Sequence, residues 1–125
     1  LTSLMLACKK GHKGVVQLLL DHSDPNIELN AKDEDGTTAL IWACHEGHKD
    51  VVQLLLDHSD PNIELNAKDV DGMTAFMFAC QFGGKDVVKL LLEYREVVDI
   101  NIHYSFQISE EIKNLIEIHS MTYQK

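Results

Sequence analysis

Apolar and polar residues follow one another along this chain in a pattern that returns every 36 residues. In the copy from Asp33 to Lys68, "ALIWACHE" (Ala39 to Glu46) sets Leu40, Ala43 and Cys44 at i, i+3 and i+4, one apolar stripe of a short helix. Thr38 ahead of it can cap the helix by accepting a backbone N–H bond, and Gly47 behind it ends the helix as a C′ residue. A second run, "HKDVVQLLLDH" (His48 to His58), carries Val51, Val52, Leu54, Leu55 and Leu56. That is too apolar for an exposed helix and predicts burial on more than one side. "SDPN" breaks the run, because Pro61 lacks an N–H and pushes Asp60 out of the α region. "IELNAKD" (Ile63 to Asp69) reads as extended, and "DEDG" and "DVDG" as turns closed by a glycine.

The segment "GHKGVVQLLLDHSDPNIELNAKD" from Gly11 to Asp33 recurs from Gly47 to Asp69 with one change, Gly14 to Asp50. Helices this short are marginal alone in water. Written repeatedly, they present like faces that stack into one core. The expected boundaries are 1–32 for a first unit with a truncated start, 33–68 for a second, 69–103 for a third and 104–125 for a degenerate unit or C-terminal cap.

These motifs carry a specific resemblance. "DEDGTTALIWACHEGHKDVVQLLL" and "DVDGMTAFMFACQFGGKDVVKLLL" match, position by position, the ankyrin-repeat pattern D-x-x-G-x-T-P-L-H-x-A-A, G-H, V-V-x-L-L-L. "TSLMLACKKGHKGVVQLLL" (Thr2 to Leu20) matches without the leading turn. The resemblance spans about Leu1 to Asn101. It implies an all-α, ankyrin-repeat α-solenoid of stacked helix-turn-helix units with β-turn fingers, to which the C-terminal segment adds a capping helix. The chain departs from the family at Ala39 and Ile41, and at Ala75 and Met77, where T-P-L-H becomes T-A-L-I and T-A-F-M. The family's Thr–His bonding is thereby lost, so the helix starts are expected to rest on capping and packing. The period is 36 instead of about 33, with the three extra residues around Ser59 to Leu65, where loops tolerate insertion.

After Leu92 the third unit drifts. Asn101 holds the register of Asn30 and Asn66, and eight residues on, Ser109 holds that of Thr38 and Thr74. Ser109 is therefore expected to cap a first helix of a fourth unit. Glu110 and Glu111 would lie at its positive end, and Ile112, Leu115, Ile116 and His119 along its stripe, with Ile118 left over. "MTYQK" is expected to fray. The other reading of this segment is a separate binding element.

Composition adds limits. The chain has 45% hydrophobic and 25% charged residues, ordinary for a globular domain, and a formal net charge of −9. That charge disfavours nucleic acid and anionic lipid as partners. No apolar run approaches the ~20 residues of a membrane helix, and no signal peptide is visible. The chain begins with Leu1 instead of Met, as an excised piece would. Cys8, Cys44 and Cys80, one per unit, do not form a disulfide framework and fit a reducing setting, intracellular and cytoplasmic, or nuclear.

Cys8 and His12, and Cys44 and His48, are four apart, but no closed four-ligand zinc set appears. "DEDG" and "DVDG" fail as calcium loops, since the first and twelfth positions would be Ala31 and Trp42, or Ala67 and Phe78. No phosphate-loop or nucleophile-elbow string occurs. The expectation is a non-enzyme without cofactor or metal.

The differences between copies mark surface: Glu34 to Val70, Thr37 to Met73, His45 to Gln81 and Glu46 to Phe82. In ankyrin-like proteins these positions, on turn tips and first helices, line a concave face that binds protein partners. The resemblance thus implies a contact set of Lys9, Lys10, Lys32, Glu34, Asp35, Thr37, His45, Glu46, Lys68, Val70, Asp71, Met73, Gln81 and Phe82. Apolar residues at positions polar in the other copy single out Val70, Met73 and Phe82; Phe82 alternatively folds onto the C-terminal cap. Trp42 and Phe78 match an inward leucine and are expected in the core, as are Leu54, Leu55 and Leu90. The functional expectation is a monomeric protein-interaction scaffold. The alternatives are a targeting or substrate-recruiting portion of a larger enzyme, or a pathogen effector.

Overall fold

The computed structural model describes residues 2–22, 29–59, 63–93 and 110–123. The Pro61 break, Asn101, the Ser109 cap and the His119 side chain lie outside the described residues. Seven α-helices and no strand occur among those described: α1 (Ser3–Lys10), α2 (Lys13–His22), α3 (Ala39–His45), α4 (Lys49–Ser59), α5 (Ala75–Phe78), α6 (Lys85–Leu92) and α7 (Glu110–Tyr123). A π-helical turn, Ala79–Gly83, continues α5.

Each first helix starts on a threonine. Thr2 Oγ1 accepts from Met5 N at 3.1 Å, Thr38 Oγ1 from Ile41 N at 3.2 Å and Thr74 Oγ1 from Met77 N at 3.3 Å. Each cap satisfies an N–H that the helix itself leaves unpaired. This is the capping that the missing T-P-L-H histidines called for. At the other end Gly11 and Gly47 turn the chain at φ 71° and 73°, a conformation glycine enters without steric cost.

Two rows result. First helices stack as α1 on α3 on α5, and second helices as α2 on α4 on α6; within the units α1 packs on α2, α3 on α4 and the π turn on α6. The core between the rows is drawn from all units: Met5, Cys8 and Val16; Leu40, Ile41, Val52 and Leu55; Phe76, Val88 and Leu91. The extended segment before the third turn joins it through Ile63 and Leu65, and Glu64 N donates to Asn30 Oδ1 of the preceding unit at 2.8 Å.

Several details depart from the repeat pattern. Leu54 is half-buried against the core and not within it, unlike Leu55 and Leu90. The helix α7 packs on α6, extending the row of second helices instead of beginning a new first helix. It does so through buried Ile112 and Ile116 and through Lys85 Nζ, 2.7 Å from Glu111 Oε1. It also runs on to Tyr123, into the segment expected to fray. In the third unit, Gly84 replaces the histidine of the G-H turn, the first helix closes through a π turn, and positive φ passes from the Gly83 position to Gly84 at 85°. Gly83 then lies so near the second unit that a Cβ there would meet the Cys44 carbonyl oxygen at 2.5 Å.

The same positions differ in exposure from unit to unit. In α6 Leu90 is 5% exposed, whereas its counterpart in α2, Leu18, is 59% exposed. Val15 is likewise open at 47%, while Val51 and Val87, one and two units on, are at 1%.

Candidate functional site

Two turns, 33–37 and 69–73, project beside the first helices, and an aspartate builds each. Asp33 Oδ1 accepts from Asp35 N and Thr37 N, both at 2.9 Å. Asp69 Oδ1 accepts from Asp71 N and Met73 N at the same distance. Backbone bonds Asp33 N to Thr37 O and Asp69 N to Met73 O, each 3.0 Å, close the fingers. The fingers also bond to one another. Val70 N donates to Asp35 O at 2.9 Å and Lys32 Nζ to Lys68 O at 3.0 Å. Gly36, at φ 78°, permits this approach, since a Cβ there would come within 3.0 Å of Asp69 Cα.

Asp33 does more than hold its turn. Its Oδ2 accepts from Trp42 Nε1 at 3.1 Å. Partial burial pushes its carboxyl upward, but the backbone N–H groups of Thr37 and Asp35 and the Trp42 indole outweigh this and hold it below the usual carboxylate range. Lys9 of the first unit sets its ammonium 4.7 Å from the Trp42 ring centroid, a cation–π contact between successive first helices. One unit on, rings replace these groups. His45 meets Phe78 edge-on at 5.3 Å and Phe82 at 4.8 Å, and Phe78 and Phe82 stack at 6.2 Å. His45 Nδ1 is 3.5 Å from Glu46 Oε1 and makes no hydrogen bond among the described residues.

Two clefts open between fingers and helices. One, of about 470 Å³, is bounded by Lys32, Asp33, Glu34, Asp35 and Trp42. The other, of about 390 Å³, has Asp35, Asp69, Val70 and Asp71 on its finger side and Ile41, Trp42, His45 and Phe78 on its helix side. The structure thus brings Lys32, Glu34, Asp35, Thr37, His45, Val70 and Asp71 to these clefts. Phe82 borders them through its contacts with His45 and Phe78. Phe82 is 54% exposed and Val70 69%, so Phe82 is not folded away beneath α7. Lys10, Glu46, Lys68 and Gln81 are exposed nearby, and Lys9 and Met73 are half-buried. Thr37 also lines the second cleft, although it is largely buried and serves its own turn through its backbone.

Trp42 and Phe78, expected in the core, are half-buried: they pack against the core and also line the clefts. Ile41, Asp33 and Asp69 were legible only as helix and turn residues. The exposure of Leu6, at 43% the first-unit counterpart of Trp42, shows that this position is only partly inward.

The remaining reactive groups are committed elsewhere. His48 Nε2 lies 2.9 Å from Lys9 O, so its nitrogen ties two units together. Burial pushes the Cys8 and Cys80 thiols up to about 12, and that of fully buried Cys44 higher still. Such thiols are poor nucleophiles and poor metal ligands at neutral pH. Among the described residues no helix is long and apolar enough to cross a membrane.

A search of curated proteins returned no match. A family model for ankyrin repeats, by contrast, matches residues 4–104 in three copies. That match takes in both rows of helices, both fingers and the Thr38 and Thr74 caps, and on it the chain belongs to the ankyrin-repeat family.

Proposed function

We propose that the chain is a non-catalytic scaffold that captures a protein partner on the face formed by the two fingers and the first helices, the concave face in ankyrin-like proteins. Ankyrin repeats are generally protein-interaction modules. The observation that carries this reading is the exposed pair Val70 and Phe82 flanking an aromatic-walled cleft. Large apolar groups left in water beside rings are typical of interface centres. The fingers are cross-bonded and the first helices capped, so little conformational freedom is lost on binding. One chain supplies every residue of the face, so a monomer suffices, and its unpaired thiols suit a reducing compartment.

The test is capture from cell lysate on the immobilised chain, followed by mass spectrometry, with Phe82→Ala and Met73→Ala run beside it. The expected result is a specific protein lost in both variants while helicity and melting temperature stay unchanged. Normal capture by both variants would place the binding elsewhere.

A further inference from the structure

The second cleft contains a carboxylate that the repeat leaves half-served. In the second unit both Asp33 oxygens are used, Oδ1 by the turn and Oδ2 by Trp42 Nε1. In the third unit Asp69 Oδ1 serves the turn in the same way. Phe78 stands where Trp42 stood, however, and has no N–H to give. Asp69 Oδ2 accordingly receives no hydrogen bond among the described residues. The cationic partner has changed as well: Lys9 lies over Trp42, but its counterpart 36 residues on, over Phe78, is His45. The cleft of about 390 Å³ therefore has three carboxylates, Asp35, Asp69 and Asp71, with aromatic walls and, among the described residues, no lysine or arginine along it.

We propose that this cleft receives an arginine side chain of the protein partner. The inference rests on the reading that this face binds protein, and it names the chemistry recognised there. A guanidinium is planar, keeps its charge, pairs with carboxylates through parallel N–H bonds and lies flat on aromatic rings. It supplies both things that the third unit has lost relative to the second, an N–H donor for the aspartate and a cation for the ring. The net charge of −9 favours the approach of a basic segment.

The test uses the single tryptophan, Trp42, which lines the cleft. The chain is titrated with the blocked peptide Gly-Leu-Arg-Leu-Gly, its citrulline twin and its lysine twin, reading Trp42 emission and amide NMR shifts. The arginine peptide is expected to saturate at millimolar concentration, to shift Val70 and Asp71, and to bind at least about tenfold more tightly than citrulline, which keeps the shape and loses the charge. Phe78→Trp, read by NMR, restores the internal donor and is expected to remove binding. Asp71→Asn, an exposed and conservative change, is expected to weaken it. Equal binding of the arginine and citrulline peptides, no binding of either, or a lysine peptide as tight as arginine overturns the proposal. If lysate capture still depends on Phe82 while the arginine peptide fails, the arginine site alone is wrong. If capture is independent of Phe82 and Met73, the protein-binding reading of the face is wrong.

Discussion

His48 reaches back to the first unit: its Nε2 lies 2.9 Å from the Lys9 carbonyl oxygen, and its ring lies over Gly11, where a Cβ would be only 2.7 Å away. The contact joins the loops of two units at the point where each turns from its first helix to its second. The third unit has Gly84 in that place and cannot make it. His48→Ala is expected to lower stability by about 1 kcal/mol, the net worth of one hydrogen bond. Gly11→Ala should cost more, since it must hold positive φ and displace the imidazole as well. Urea denaturation of both variants measures the order, and equal losses would contradict it.

The same leucine occurs three times with three surroundings. Leu18 is 59% exposed, Leu54 half-buried and Leu90 5% exposed. Alanine at Leu90 is expected to cost about 2–5 kcal/mol and at Leu18 no more than about 0.5 kcal/mol, with Leu54 between. Chemical denaturation of the three variants checks the series.

Strong acid should loosen the second-unit finger by protonating Asp33. The folded-state pKa of Asp33 is depressed, so its contribution to stability is present above the ordinary carboxylate value of about 3.9. It is lost as pH falls through the lower folded value. Trp42 emission, which reports the indole–carboxylate bond, is expected to change in that acid window. Trp42→Phe should keep the fold, as Phe78 does one unit on, and move the Asp33 titration, followed by NMR, upward.

The three thiols should stay unreacted with a water-soluble disulfide reagent at neutral pH, because they are buried and hold their protons. In rising denaturant they are expected to become reactive together. Staggered exposure would show that the units open one at a time.

On α7, the two kinds of contact should separate. The Lys85–Glu111 pair is exposed and is screened by salt, so Glu111→Gln should barely move the melting temperature. Ile116→Ala removes a buried side chain from the α6 contact and should lower it by several degrees. The reverse order would mean that charge, not burial, seats the helix.

The sequence made legible whatever the units share. The Thr38 and Thr74 caps, the Gly47 stop, the buried Val51, Val52 and Leu55 and the turn aspartates recur, and recurrence exposes the contact that each copy makes with the next. Less legible was what depends on the units being unequal. Trp42 and Phe78 fill a leucine position, but their rings exceed it and extend into the clefts. The π turn at Ala79–Gly83 accompanies Gly84 in place of the histidine of the other units, and the shared apolar pattern does not signal it. The seat of α7 depends on tertiary neighbours that a stripe of Ile112 and Ile116 does not specify. The candidate face lies where copies differ, so internal comparison found Val70 and Phe82 but not the half-served Asp69.

The exposed flank of α2 contrasts with the covered one of α6. Val15 and Leu18 lie open on α2, whereas α6 carries α7 on Ile112 and Ile116. A further helix pair of the same kind joined to this chain should therefore find a seat against Val15 and Leu18, and one directed to α6 should find it only once α7 is displaced.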